Sequence, residues 1–194
     1  MRKIINSTYV TLDGVVENPH LWPSLPLGGA AEHDEVQLEL IERCDILLMG
    51  RRTYDVFAPV WPTRSGDAFS DRFNSMRKVV ASTTLTDPTW TNTEVVAGGL
   101  AGRLKELKSE RDGDIVQYGV GPVTRLMLDE GLLDELHLWV YPQFVRASTK
   151  DLLFDPEVAA TFDLNASRVL SNGIVVLQYS VRADGASSAA DASA

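Results

Sequence analysis

Four short stretches put glycines, hydroxyls and cations where apolar runs end: Gly50-Arg51-Arg52-Thr53, Ser82-Thr83-Thr84, Ala97-Gly98-Gly99 and Gly119-Val120-Gly121-Pro122. Accessible backbone N–H groups, hydroxyls and a guanidinium are what phosphates bind, and several such turns together suit a dinucleotide. For any single turn the plainer alternative is a solvated loop in which glycine relieves the backbone. In "LLMGRRTY", residues 47–54, both readings stand on that stretch alone. No G-x-G-x-x-G follows the first apolar run, and a Walker A loop is absent.

Other reactive side chains are few. His20, His33 and His137 have no metal-ligand spacing, and His137 falls inside a strand pattern as a satisfied or edge histidine. The single cysteine, Cys44, excludes an internal disulfide and a multi-cysteine zinc site, and its place after an apolar-periodic run reads as a small buried hydrophobe. Trp22, in a long proline-bearing loop, could stack on a planar ring or anchor that loop to the core, with the anchor favoured.

The elements that must position these turns are legible as an alternation. "KIINSTYVT", residues 3–11, reads as a strand closed by Asp13-Gly14, and "ENPHLWPSLPLGG", residues 17–29, as a loop long enough for a lid. Val36, Leu40, Ile41 and Cys44 share a helical face, and "DILLMG" is a continuous apolar strand of the buried, parallel kind. Phe69, Phe73 and Met76 precede the strand "KVVAS"; "TEVVAG" precedes a helix marked by Leu100, Leu104 and Leu107. Glu106, Lys108, Glu110, Arg111 and Asp112 form its solvated face. "DIVQYG" is followed by a helix with Pro122 in its first turn and Gly131 at its C-terminal cap. "ELHLWVYP" is a further strand, and Asn172-Gly173 splits two β-rich runs as a hairpin. The expected fold is α/β: a three-layer αβα domain over residues 1–182 with a mostly parallel, mixed sheet ending in an antiparallel hairpin. Residues 183–194 are small and polar, an expected disordered tail.

Composition narrows the function classes. The chain has 194 residues, 44% hydrophobic, with a net charge of −9, enough for one buried core. Its 18 Lys and Arg are scattered, without the basic stripe that tracks nucleic acid. No apolar run approaches the ~20 residues of a membrane span, and the polar N-terminus lacks a signal-peptide core, so a cytoplasmic protein is expected.

Five segments in order, "INSTYVTLDGVVENP", "DILLMGRRTYDVF", "RKVVASTTL", "DIVQYGVGPVTRLML" and "GLLDELHLWVYP", resemble the dihydrofolate-reductase-like family. The resemblance is to its bacterial branch near the reductase domain of the bifunctional riboflavin-biosynthesis deaminase/reductase, over roughly residues 2 to 182. It implies an NADPH-dependent reductase transferring hydride to a pteridine-like or ribosylaminopyrimidine-like small molecule. By the same resemblance, Gly50, Arg51, Arg52 and Thr53 hold cofactor phosphates, and Ser82 and Thr83 meet the adenosine ribose. Gly119, Val120, Gly121 and Pro122 lie under the pyrophosphate and nicotinamide, and Asp13 and Gly14 border the nicotinamide pocket. Ser82-Thr83 stands where the family often has Ser-Arg, which leaves NADH possible unless Arg51 or Arg52 compensates. Tyr118 replaces the first of a glycine pair, where a side chain could narrow the approach to the backbone. "PQFVRASTKDLLF", residues 142–154, stands in place of a Gly-rich stretch.

The family also suggests a catalytic acid. Asp34, sixteen residues before Gly50, has the spacing of its substrate carboxylate, and a partly buried carboxyl facing an apolar pocket is suited to proton transfer. Equally, Asp near a helix N-terminus is favourable without any chemistry. Trp22 is the candidate substrate contact. A homodimer through the C-terminal strands is implied as well. Two alternatives remain: the 5-amino-6-(5-phosphoribosylamino)uracil reductase step itself, and a non-catalytic nucleotide- or ligand-binding protein on the same fold. The deaminase signatures H-x-E and P-C-x-x-C are absent.

Overall fold

The first strand of the sequence occupies the middle of the sheet. β1 (Ile4–Thr11) runs parallel to β5 (Asp114–Tyr118) on one side and β6 (Glu135–Tyr141) on the other. The computed structural model describes residues 2–25, 29–110, 112–146, 153 and 159–182; the expected tail lies outside them, as does most of residues 147–158. The remaining strands are β2 (Cys44–Gly50), β3 (Arg77–Ala81), β4 (Thr93–Val96), β7 (Phe162–Val169) and β8 (Val175–Val181). The eight-stranded order is β4-β3-β2-β5-β1-β6-β8-β7. The first six are mutually parallel; β8 runs antiparallel to β6 and β7 antiparallel to β8. The expected α/β sheet with an antiparallel end is therefore what forms.

Helices cover both faces, which is why β2 can be apolar from Ile46 to Met49. Leu47 and Met49 pack with Leu40 and Ile41 of α1 (Ala30–Glu42), Tyr54 of α2 (Arg51–Phe57) and Phe73 of α3 (Ala68–Ser75). On the opposite face Ile46 and Leu48 pack with Leu104 and Leu107 of α4 (Leu100–Ser109) and Met127 of α5 (Pro122–Asp129). Pro122 opens α5, and Gly131, at φ 61°, follows its end. The tip of the β7–β8 hairpin seats α1. Gly29, the N-cap of α1 at φ 72°, lies so close to Asn172 that an added Cβ would come within 2.6 Å of that side chain.

Two expectations are corrected. Cys44 does not continue the face of α1. The helix stops at Glu42, and Cys44 opens β2, its thiol donating to the Leu40 carbonyl (3.2 Å) and pushed up to about 12 by burial, an unreactive group. Lys108 is not solvated: it is buried, and its amine donates to the Leu132 carbonyl (3.0 Å) and to Asp134. Among the described residues, no helix is long and apolar enough to cross a membrane.

Candidate functional site

The chain leaves β1 for α1 on one face of the sheet and leaves β5 for α5 on the other. Loops therefore part above the carboxyl ends of neighbouring strands, the place where open α/β sheets bind ligands. The cleft at that seam has a volume of about 2620 Å³. That exceeds the ~300–1,000 Å³ typical of a site for one small molecule, so two ligands could lie side by side.

One part of the cleft gathers the expected turns. Gly50, Arg51, Arg52 and Thr53 line it together with Gly119, Val120, Gly121 and Pro122. Gly119 takes φ 79°, and a Cβ added at Gly119 or Gly121 would meet nothing within 4 Å, so a ligand can approach the bare backbone. Arg51 is held by Asp55, Nε lying 2.8 and 2.9 Å from the two carboxylate oxygens, and reaches Thr84 Oγ1 at 3.2 Å. Arg52 extends into solvent and touches Glu17 at 3.2 Å. Ser82 and Thr83 line a separate, smaller hollow of about 450 Å³ with Arg51, Thr84, Gly98 and Gly99. The buried Ser82 hydroxyl shapes that turn by accepting from the Thr84 and Leu85 amides (3.2 and 3.1 Å).

A buried polar network fixes the glycine turn from beneath. Asn6 Nδ2 donates to Gln117 Oε1 and to the Gly119 carbonyl, both at 2.7 Å, and Thr8 Oγ1 donates to Asn6 Oδ1 at 2.7 Å. Gln117 Nε2 donates to Thr124 Oγ1 (3.0 Å), which also accepts from the Gly121 amide (3.3 Å).

Another part of the cleft is aromatic. Phe57, Trp61, Phe69, Phe73 and Tyr118 line it, with Trp61 and Phe73 centroids 4.5 Å apart and Phe69 stacked on Phe73 at 5.4 Å. Against this wall runs a hydrogen-bonded chain. His33 Nε2 lies 2.8 Å from the Tyr9 hydroxyl, Gln37 Nε2 donates to the same hydroxyl at 2.8 Å, and Tyr118 donates to Gln37 Oε1 at 3.2 Å. Burial raises both tyrosines well above the ordinary phenol range, so both stay protonated.

Four expected site residues are placed differently. Asp34 lines the cleft mouth, but its side chain is 79% exposed and contacts His33 Nδ1 at 3.3 Å; it is not the partly buried carboxyl the spacing suggested. Asp13 and Gly14 are not among the residues lining the cleft. The Asp13 carboxylate accepts from Thr11 Oγ1 and from the Val145 and Arg146 amides (3.1 and 3.2 Å), which pins the loop after β6. These bonds, Thr11 first, hold its carboxyl below the usual range. Trp22 takes the favoured anchor role and is not among the residues lining the cleft: its indole donates to the Glu17 carbonyl (3.0 Å) and its ring meets Tyr141 edge-on at 5.3 Å. Tyr118, for its part, does not obstruct Gly119, because its ring turns to Phe57 and Phe73.

The family model described as the RibD C-terminal domain matches residues 2–176. The chain belongs to this family. RibD C-terminal domains are of reductase type. A Bacillus subtilis (strain 168) protein of uncharacterised function, YyaP, is 24% identical over 186 residues, spanning 92% of this chain and 94% of its own. A crystal structure from Shewanella sp. PV-4, of a protein assigned provisionally to riboflavin biosynthesis, superposes with a TM-score of 0.70 at 21% identity, covering 93% and 99% of the two chains. A pyrimidine reductase-like protein from Corynebacterium diphtheriae gives 0.60 at 15% identity, covering 94% and 93%. At those identities the two structures speak for the fold.

The Tyr9–His33–Gln37 chain was not anticipated from the sequence, though a signal was present. His33 and Gln37 stand one helical turn apart on α1, and Gln37 interrupts a run whose neighbours Val36, Leu40 and Ile41 are all buried. A buried amide on such a helix needs partners. Among the described residues, no group of three His, Cys, Asp or Glu side chains is placed to hold a metal.

Proposed function

We propose that this RibD-type domain is a nicotinamide-dependent reductase whose acceptor is a planar, pteridine-like heterocycle. The observation that carries the reading is one cleft with bare-backbone glycine turns and Arg51 in one part and an aromatic wall in another. The residues present fit the cofactor. Gly119, Gly121 and the Gly50–Thr53 turn would receive the pyrophosphate, and Arg51 with Ser82, Thr83 and Thr84 the adenosine ribose and any phosphate on it. NADPH, when bound, supplies a hydride.

The chain's own residues do the rest. Phe57, Trp61 and Phe69 offer flat apolar surface that orients a planar ring and excludes water from it. Tyr9, His33 and Gln37 provide the hydrogen-bonding groups beside it. A phosphoribosylaminopyrimidine is a second candidate acceptor, favoured by Arg64, which lines the cleft with its guanidinium 4.8 Å from the Trp61 ring centroid.

The test is a titration with NADPH and NADH, followed through tryptophan fluorescence. Saturable quenching is expected, with Arg51→Ala weakening NADPH about tenfold, the ~1.4 kcal/mol of one charge-assisted contact, and NADH less. Arg52→Ala, at an exposed side chain, is expected to change either by less than about threefold. No binding of either nucleotide at millimolar concentration would overturn the reductase reading and leave a ligand-binding protein on this fold. We also infer a homodimer through the hairpin. β7 is an open edge strand with Leu164 55% and Val169 73% exposed. A sizing column is expected to elute twice the chain mass, and a monomer would rule this out.

A further inference from the structure

We propose that Tyr9 is the proton donor of this site and that the protonation state of His33 decides whether the Tyr9 hydroxyl points at His33 or into the cleft. The inference rests on the reductase reading above and adds to it the residue that delivers the proton.

The geometry fixes most of the hydrogens. Tyr118 donates to Gln37 Oε1, which leaves the Gln37 amide N–H facing Tyr9, so one lone pair of the Tyr9 oxygen is always occupied. What remains is shared with His33 Nε2, 2.8 Å away. When His33 is neutral with its hydrogen on Nδ1, facing Asp34, Nε2 can only accept, and the Tyr9 hydroxyl donates to it. When His33 is an imidazolium, both ring nitrogens donate. The Tyr9 oxygen then accepts from Gln37 and from His33 together, and its own hydrogen is left to the cleft that Tyr9 lines.

The step balances. As the carbon of an acceptor C=N bond takes a hydride from the dihydronicotinamide, which is oxidised to the nicotinamide cation, the nitrogen takes the Tyr9 proton, giving CH–NH. The Tyr9 phenolate takes the Nε2 proton of His33, and neutral His33, with its side chain 23% exposed, regains a proton from solvent. Burial holds the Tyr9 hydroxyl protonated between turnovers.

Few charges compete for His33. From α1, Asp34 faces Nδ1, while Glu32 accepts from the Ser171 amide and Glu35 is paired with Arg168 of β7. From β6, Trp139 packs on the His33 ring at 4.9 Å and Tyr141 on the Tyr9 ring at 5.2 Å, with burial pushing Tyr141 up to about 12. Glu17, from the loop after β1, is engaged by Arg52.

The experiment combines histidine NMR with kinetics. Protein labelled with ¹⁵N-histidine is titrated with acid, the His33 signals being assigned by their loss in His33→Gln. The neutral wild-type ring is expected as the Nδ1–H tautomer. A neutral Nε2–H tautomer would overturn the switch, since His33 would then donate to Tyr9 in both states. With dihydropterin and dihydrofolate as acceptors, Tyr9→Phe is expected to lower kcat about 100-fold or more with KM little changed, while NADPH quenching stays intact. Wild-type kcat is expected to fall as pH rises through the His33 midpoint read by NMR, and His33→Gln to lose that dependence. Tyr9→Phe turnover within about threefold of wild type would overturn the donor role. Absence of wild-type turnover on both acceptors would overturn it too, and the NADPH titration then shows whether the cofactor reading survives alone.

Discussion

Gly121→Ala is expected to weaken NADPH binding by about tenfold or more, roughly 1.4 kcal/mol, while the melting temperature stays within about 1 °C of the parent. The two halves of that expectation come from different facts. Gly121 has φ 173°, extended backbone open to any residue, and an added Cβ meets nothing within 4 Å, so the unliganded protein should accept the methyl group freely. The open space it enters is the space in which a pyrophosphate would approach the turn at the start of α5. The loss is therefore confined to the complex. Gly119→Ala makes the contrast, because φ 79° costs an L-residue roughly 1–2 kcal/mol and stability should fall together with binding. An unchanged NADPH affinity in Gly121→Ala would show that phosphate does not pass over this turn.

Asn6→Leu is expected to destabilise the fold by about 3 kcal/mol and lower the melting temperature by about 6–12 °C. Asn6 is fully buried at the centre of the sheet, and leucine repeats its branched outline with bulkier methyl ends, so packing should survive with some crowding. Hydrogen bonding does not. Thr8 Oγ1 loses its acceptor, the Gly119 carbonyl and Gln117 Oε1 are left to share the single hydroxyl of Thr124 (3.5 and 3.1 Å), and a buried group left unpaired costs about 1–3 kcal/mol. Because Asn6 restrains Gly119, nucleotide affinity should fall too. Differential scanning calorimetry reads the first effect; a melting temperature within about 2 °C of the parent would mean that the turn is held by other contacts.

Signals carried by neighbouring residues were the ones legible in the sequence. The unbroken run "DILLMG" announces a strand covered on both faces, Asn172-Gly173 a hairpin, and Pro122 with Gly131 the two ends of α5, and each is found. The glycine turns that gather at the cleft were legible for the same reason, since a glycine after a strand marks the place where the chain turns at the sheet's carboxyl edge. Asp34 shows the limit. Its distance from Gly50 along the chain sets its height on α1, but the direction of its side chain depends on how that helix meets the sheet; His33 turned inward to Tyr9, and Asp34 turned to water. Asp13 and Lys108 were misread because their partners, at Val145 and Leu132, are distant in sequence. The polar triplet Asn6-Ser7-Thr8 inside a buried strand pointed to a network, with Ser7 accepting from the Trp139 indole at 3.1 Å, but only the paired strands say where its bonds go.

The central position of β1 also dictates the order in which this protein can assemble. The β2–β3–β4 half brings together segments near one another in sequence, whereas β1 must wait for β5 and β6, with Ile4 beside Ile115 and Ile5 beside Glu135. Closing loops of that length carries an entropic cost that is met before any contact repays it, which slows folding. On a ribosome, the first strand emerges more than a hundred residues ahead of both its neighbours. Tyr9 and the glycine turn after β5 both line the cleft, so the cleft is completed only once β1 and β5 have paired.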